Sequence, residues 1–425
     1  MARARSTGAR SFRLVARTGY PDFLDFPWER PLAEWDDPRI VDYAAGVSRH
    51  VVRFVAEGGR AYALKETTLP LARREYAMLK DLLDEGLPVV KPVGVVSERP
   101  AAAGTDVDLG AVLITLHLEF SLPYRTLFAG RGIADVRSRL IDALAALLVR
   151  LHLAGFFWGD CSLSNVLFRR DAGCLFAYLV DAETGERHDG LSDGQRAHDL
   201  VIATENLAGE LLDLGEASSL PSDVDPLDTA DALARSYEAL WDELRRPEVI
   251  QLDGPGERHR IAARIRRLNQ LGFDVEELEL VRQADGDELR MVARVLEEGH
   301  HSRRLTALTG IKAQENQARR LLNDFAEHRA CLEHDEGTEI PDAIAAYRWL
   351  HEVYEPALAR VPDDLRDRLQ PAELFHEILE HRWYLGEGRA GDVDLLEAVD
   401  DYVESELRTR AAEYVVLQPP DPALG

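Results

Sequence analysis

The sequence predicts an α+β fold with a five-stranded antiparallel lobe, then a helical lobe, and then a mainly helical C-terminal domain. Residues 39–66 carry short apolar runs that break at Gly46 and at Gly58-Gly59, a pattern that indicates three strands joined by turns. The apolar segments VVKPVGVV and AVLITLHLEF add a fourth and a fifth strand. Beyond residue 195 apolar residues recur at helical spacing, which predicts that the rest of the chain is mostly helical.

Two helices are predicted within and directly after the strand lobe. Residues 71–85, LARREYAMLKDLLDE, have helical periodicity and end before Gly86 and Pro88. A long amphipathic helix is predicted over residues 134–154. The first helix follows the third strand, and the second begins the helical lobe.

The length of 425 residues exceeds what one hydrophobic core usually accommodates, so several domains are expected. Both ends of the chain are rich in proline, which predicts an irregular leading arm and a disordered tail. The predicted parts are an N-terminal arm (1–40), a strand lobe (41–120), a helical lobe (121–250), a mainly helical C-terminal domain (251–411) and a disordered tail (412–425).

The composition is that of an acidic globular protein, with 46% hydrophobic and 30% charged residues. The formal net charge of −26 disfavours binding to nucleic acid and to anionic membrane surfaces. No uncharged apolar stretch approaches the roughly 18 residues that span a bilayer, and the N-terminus has no apolar signal core. The three cysteines lack C-x-x-C spacing, so we expect a cytoplasmic protein without a zinc site.

Five side chains, spread along the chain, supply the groups that phosphoryl transfer from ATP requires. Lys65 lies late in the third strand, and Glu75 lies on the helix that follows. Asp160 and Asn165 occupy the segment GDCSLSN, and Asp181 closes the apolar run YLV. The reaction needs a lysine for the donor phosphates, an acidic partner for that lysine, ligands for Mg²⁺, and a carboxylate beside the attacking hydroxyl.

In this arrangement the chain resembles the protein-kinase-like superfamily over about residues 40–240. Asp160 and Asn165 are five residues apart, as in the kinase loop H-R-D-L-x-x-x-N, and Asp181 lies where the D-F-G aspartate is expected. The chain is most similar to the lipopolysaccharide-kinase-type bacterial branch, followed by a C-terminal domain of uncharacterised function. The resemblance implies a bilobal protein-kinase-like fold and the use of ATP and Mg²⁺.

The resemblance also implies a role for each of these side chains. Asp160 would be the catalytic base, and Lys65 would hold the donor phosphates. Asn165 and Asp181 would bind Mg²⁺, and Glu183 would offer the metal a further carboxylate. The acceptor would be a hydroxyl group on a small molecule, a sugar or a protein.

Further positions would complete the nucleotide site. Glu75 would orient Lys65, and Gly46 and Ser48 in the segment AAGVSRHVV would contact the phosphates. Glu119, at the end of the fifth strand, would lie at the hinge whose backbone meets adenine.

The predicted catalytic loop departs from that of protein kinases. Trp158 and Gly159 stand at the positions of the histidine and arginine of H-R-D, and Cys161-Ser162 replaces the usual Leu-Lys. These departures favour a small-molecule or atypical kinase over a protein kinase. Asp199, in the segment AHDL, lies where kinases commonly brace this loop.

Three other functions stay open from the sequence. A nucleotide-binding pseudokinase scaffold is consistent with the single glycine of the phosphate loop, and an AMP transferase would bind ATP in the reverse orientation. A DNA-binding regulator comes last, because LTGIKAQENQARRLL resembles a helix-turn-helix but the chain is strongly acidic. The local basic segment Arg303–Arg320 is instead a candidate surface for an acidic substrate or partner.

Overall fold

A computed structural model describes most of the chain. The described residues are 12–41, 50–100, 109–124, 127, 136–216, 220–221, 224–245, 248–251, 275–282, 288–295, 299–389, 393–410 and 412. Gly46, Ser48 and residues 413–425 of the predicted disordered tail lie outside these ranges. No helix within them is long and apolar enough to cross a membrane.

The N-terminal part of the chain forms a six-stranded antiparallel sheet. Its strands are β1 (Arg13–Ala16), β2 (Ile40–Val41), β3 (Val51–Glu57), β4 (Arg60–Thr67), β5 (Lys91–Ser97) and β6 (Ala111–Leu116). They pair in the order β1-β5-β6-β4-β3-β2. The central strand β4 carries Lys65, which lies opposite Leu113 of β6.

The prediction of five strands is wrong by one, because the N-terminal arm contributes β1. This strand pairs with β5, with Leu14 opposite Val96, and so covers a sheet edge that would otherwise expose unpaired backbone groups. No residue of β1 is fully buried, so the apolar alternation that marks the other strands is missing there. The predicted strand AVLITLHLEF also ends early, at Leu116, and Phe120 has a φ of 55°, which a strand does not accommodate.

The arm also buries the outer face of the sheet beneath a layer of aromatic side chains. In this layer the ring of Phe23 meets the ring of Tyr62 edge-on, with 5.0 Å between their centroids. The opposite face packs against α1 (Leu69–Asp84). Since side chains alternate along a strand, Leu64 joins the aromatic layer and Lys65 is directed toward α1.

The middle of the chain forms the helical lobe. Its elements are α2 (Val136–Leu153), β7 (Phe156–Phe157), β8 (Val166–Asp171), β9 (Cys174–Leu179), β10 (Glu186–Arg187), α3 (Asp193–Glu216) and α4 (Pro226–Arg245). Strands β8 and β9 form a hairpin, and β7 pairs with β10. The helices predicted at residues 71–85 and 134–154 are confirmed to within two residues at each end.

The C-terminal region is mainly helical, as predicted. It begins with a three-stranded sheet of β11 (Glu248–Gln251), β12 (Val275–Arg282) and β13 (Glu288–Val295). Its helices are α5 (His300–Thr309), α6 (Glu315–Glu336), α7 (Asp342–Trp349), α8 (Glu355–Arg360), α9 (Asp363–Arg366), α10 (Pro371–Arg389) and α11 (Leu395–Ser405). They bury a core of their own around Trp349, Tyr354 and Phe375.

A buried carboxylate at the tip of the β8–β9 hairpin joins the helical lobe to this C-terminal region. Asp171 accepts the backbone N–H groups of Asn316, at 3.1 Å, and Gln317, at 2.8 Å. These two residues belong to the first turn of α6, whose N–H groups have no partner within the helix. Burial raises the pKa of Asp171 to about 7, although the two backbone hydrogen bonds favour its ionised form.

A second buried carboxylate makes the reciprocal contact from α10. Glu373 accepts the backbone N–H groups of Ala172, at 2.8 Å, and Gly173, at 3.3 Å. Both turn residues have positive φ, as a two-residue hairpin turn requires. The side chain of Gln317 donates to Glu373 at 2.7 Å and so links the two contacts. The hairpin tip is thus held by side chains and backbone groups from two helices of the C-terminal region.

Replacing Glu373 by alanine is expected to lower the free energy of unfolding by about 2–4 kcal/mol, because it leaves buried donors on Ala172 and Gln317 without their acceptor. Glu327→Ala is the matched control, since Glu327 is exposed on α6. Urea unfolding of the full chain measures both variants. Equal stabilities for the two variants would contradict the role given to Glu373.

Candidate active site

The centre of the candidate site is an ion pair between the sheet and the helix that follows it. The Nζ of Lys65 lies 3.0 Å from Oε2 of Glu75. Glu75 is almost completely buried on α1, with 1% of its surface exposed. Helix α1 begins two residues after β4 ends, so the short connection turns the helix back over the strand that carries the lysine. The pairing predicted from the order of these residues is therefore present.

Two acidic residues from the segment after β9 reach the same ammonium group. Oδ2 of Asp181 lies 2.6 Å from Nζ of Lys65, and Oε2 of Glu183 lies 3.0 Å from it. The backbone N–H of Glu183 donates to Oδ1 of Asp181 at 2.9 Å, which fixes the turn that carries both carboxylates. Strand, helix and turn thus bring four charged groups together.

This cluster holds more negative charge than Lys65 neutralises. Burial alone would lower the pKa of Lys65, but the neighbouring carboxylates of Glu75 and Asp181 outweigh burial and raise its pKa above the usual range. Burial, together with the charge of Asp181, raises the pKa of Glu75 to about 8. One ammonium group facing three carboxylates leaves an excess of negative charge that a cation would offset.

The donor set of this cluster fits a divalent metal ion. Carboxylate oxygens of Glu75, Asp181 and Glu183 lie within 4.8 Å of one another, and oxygen is the ligand type that Mg²⁺ prefers. Oε2 of Glu183 is buried and lies 2.9 Å from Nε2 of His50 as well as 3.0 Å from Nζ of Lys65. The predicted ligands Asp181 and Glu183 are therefore in this group, together with Glu75. The role of Asn165 as a metal ligand stays a prediction.

The predicted catalytic base, Asp160, lies on the loop between β7 and β8. The amide of Asn165 donates to the backbone oxygen of Asp160 at 3.0 Å and to its Oδ2 at 3.4 Å. The amide of Asn206, on α3, approaches Oδ1 at 3.4 Å and donates to the backbone oxygen of Cys161 at 3.1 Å. Two amide groups therefore hold both carboxylate oxygens of Asp160.

Asp199 braces the start of this loop, as its position in the sequence suggests. It accepts the backbone N–H groups of Trp158, at 2.7 Å, and Gly159, at 2.8 Å, and lies 3.0 Å from the ring of His152. His152 in turn contacts the hydroxyl of Tyr237 at 2.6 Å. Three of these contacts are buried and the contact of Gly159 is partly buried, so hydrogen bonds to the interior of the helical lobe fix the start of the loop.

Three contacts of the loop were not predicted from the sequence. The indole N–H of Trp158 donates to the backbone oxygen of Asp181 at 2.9 Å and so joins the two acidic segments. Glu210 accepts the backbone N–H groups of Leu163, at 2.5 Å, and Ser164, at 3.0 Å. The third contact is that of Asn206, already described. Asn206 and Glu210 lie seven and eleven residues after Asp199, and this helical spacing on one face of α3 is the signal that points to them.

Of the remaining predicted residues, the structure describes only Glu119, which does not join the cluster. Glu119 is exposed, three residues beyond the end of β6, and no described contact links it to Lys65 or Asp181. Gly46 and Ser48 lie outside the described residues. The roles predicted for these three residues stay predictions.

Comparison with known proteins agrees with the resemblance predicted from the sequence. Residues 50–205 match the family described as Lipopolysaccharide kinase (Kdo/WaaP) family, and residues 239–407 match a Domain of unknown function (DUF4032). A solved structure described as "WaaP in complex with acyl carrier protein" is 17% identical, with a TM-score of 0.34, over 61% of this chain and 99% of that chain. No curated protein matches. The chain therefore combines a segment similar to this kinase family with a segment similar to a domain of unknown function.

Replacing Lys65 by methionine is expected to lower the free energy of unfolding by about 3 kcal/mol, because it removes the ammonium group that pairs with the buried carboxyl group of Glu75 and contacts Asp181 and Glu183. Lys80→Met is the matched control, since Lys80 is a half-exposed lysine of α1 that pairs with the exposed Asp84. Denaturant unfolding at neutral pH measures the difference. A loss in Lys65→Met no larger than in Lys80→Met would contradict the electrostatic account.

Proposed function

We propose that the protein is an ATP- and Mg²⁺-dependent phosphotransferase of atypical kinase type, with a bilobal kinase-like arrangement of the sheet and the helical lobe. The observation that carries the proposal is the connection between Lys65, Asp181 and the loop of Asp160 through one buried side chain, Trp158. The match of residues 50–205 to a lipopolysaccharide kinase family supports it, because the match covers these residues.

The acidic cluster is proposed to serve the nucleotide. Asp181 and Glu183 would hold Mg²⁺ together with Glu75 or, after a shift of its amide, Asn165. Bound Mg²⁺ neutralises charge on the phosphates of the donor. Lys65 would leave Asp181 and donate hydrogen bonds to these phosphates, while Glu75 holds the ammonium group of Lys65 in place. The excess negative charge around Lys65 favours this exchange of partners.

Asp160 is proposed to accept the proton of the acceptor hydroxyl. As the hydroxyl oxygen forms its bond to the γ-phosphorus, the bond between that phosphorus and the bridging oxygen of ADP breaks. The amides of Asn165 and Asn206 contact Oδ2 and Oδ1 of Asp160, respectively, each at 3.4 Å. These contacts would fix the orientation in which the carboxylate accepts the proton. Most of the catalytic effect then comes from positioning and from the charges that surround the phosphates.

Asp160→Asn is expected to lower the transfer of labelled γ-phosphoryl groups from ATP by about 100-fold or more, while ATP binding stays close to that of the wild type. Asp213→Asn, at an exposed position of α3, is the matched control and should keep wild-type activity. Transfer is measured to water and to sugar, lipid and protein fractions of a cell extract, with ADP and pyrophosphate quantified together.

The products separate the proposal from its alternatives. Release of ADP, lost in Asp160→Asn, is the expected result. Release of pyrophosphate with retention of AMP on an acceptor would indicate an AMP transferase. Nucleotide binding without any turnover, equal in wild type and Asp160→Asn, would indicate a pseudokinase and overturn the proposal.

A further inference from the structure

A cavity lies against the β8–β9 hairpin, next to residues 172–177. Its volume is about 690 Å³, within the range of about 300–1,000 Å³ that small-molecule sites occupy. Helices α2 and α4 and the hairpin form one wall, and α6, α10 and Arg410 form the other. None of Lys65, Glu75, Asp160 or Asp181 lines it. The cavity is therefore distinct from the nucleotide site and is shared between the helical lobe and the C-terminal region.

The charge of this cavity is opposite to that of the protein. Five arginines line it against three carboxylates, in a chain of formal net charge −26; the arginines are Arg139, Arg150, Arg170, Arg320 and Arg410. A concave surface of one sign in a protein of the other sign concentrates ligands of opposite charge.

Two of the three carboxylates already have hydrogen-bond donors within the protein. Glu377 forms an ion pair with Arg410, and Asp142 accepts the hydroxyl of Ser236 at 3.0 Å. By contrast, Arg139 and Arg320 form no hydrogen bond or ion pair with any residue that the structure describes. They approach the cavity from different domains, since Arg139 lies on α2 and Arg320 on α6.

The wall formed by α2, α4 and the hairpin also carries apolar side chains. They are those of Ala143, Ala146, Leu147, Leu175, Ala177 and Leu240. The guanidinium of Arg150 lies 4.5 Å from the centroid of the Phe176 ring, which places a cation at the border of this apolar surface. A ligand that uses the whole cavity would thus combine an anionic group with an apolar portion.

We propose that this cavity is a binding site for a phosphorylated small molecule with an apolar portion. The planar fork of a guanidinium donates two parallel hydrogen bonds to a phosphate, and Arg139 and Arg320 offer such forks from the two walls. The apolar portion would lie against Leu147 and Leu240. A ligand bound in this way contacts both domains and stabilises their association.

Phenyl phosphate is the probe that tests the proposal, because it combines a phosphate dianion with an apolar ring. Isothermal titration of the full chain, with EDTA present to exclude metal-dependent binding in the active site, is expected to show saturable binding at millimolar concentration. Arg139→Gln and Arg320→Gln should each weaken binding about tenfold, equivalent to about 1.4 kcal/mol.

Two controls make the result decisive. Arg304→Gln removes an exposed arginine of the same domain outside the cavity and should leave binding unchanged. Asp181→Asn alters the candidate active site and should also leave it unchanged. Absence of saturable binding by the wild type overturns the proposal. Loss of phenyl phosphate binding in Asp181→Asn would also overturn the proposal. So would an affinity equal to that of the wild type in Arg139→Gln and Arg320→Gln proteins that are folded.

Discussion

The architecture of the candidate site depends on one lysine that three carboxylates surround. Lys65 reaches Glu75 on α1 and the turn of Asp181 and Glu183 after β9, so one ammonium group connects the sheet to the helical lobe. Burying charged groups is costly unless each finds a partner, and here the carboxylates outnumber the cation. Such an arrangement is a poor way to stabilise a fold. It is well suited to a site in which the carboxylates bind a metal ion while Lys65 contacts the phosphates of a nucleotide.

The β8–β9 hairpin connects this chemistry to the C-terminal region. Its first strand begins directly after Asn165, and its second ends two residues before Asp181. Its tip is held through Asp171 and Glu373 by hydrogen bonds with helices α6 and α10. The cavity rich in arginine lies against the same hairpin. The C-terminal region therefore contacts the one element that leads to both the predicted catalytic loop and the predicted metal ligand, which gives a physical route for it to influence the site.

The ion pair of Lys65 and Glu75 was predicted from the order of the two residues, one on a strand and one on the helix that follows, together with the resemblance to kinases. The order of Asp160, Asn165 and Asp181 along the chain was also informative, since loops between consecutive elements keep them near one another. Contacts between distant segments were not predictable in this way. Strand β1 has no apolar alternation, and the indole bond from Trp158 and the pairing of the hairpin tip with α6 exist only after long-range packing. Neither strand β1 nor the contacts of the C-terminal region with the hairpin produce a periodic pattern of apolar residues in the sequence.

Thermal unfolding with ATP and Mg²⁺ is the measurement that tests the central claim most directly, with wild type and Asp181→Asn compared in the presence of Mg²⁺ or EDTA. A ligand that binds only the folded state adds about 2.7 kcal/mol at 100 times its Kd, which gives a readily measured rise in melting temperature. The account predicts a rise for the wild type that requires both ATP and Mg²⁺ and that Asp181→Asn loses. An equal rise in both proteins, or no rise in either at millimolar ATP, would contradict the assignment of Lys65, Glu75, Asp181 and Glu183 to a nucleotide and metal site.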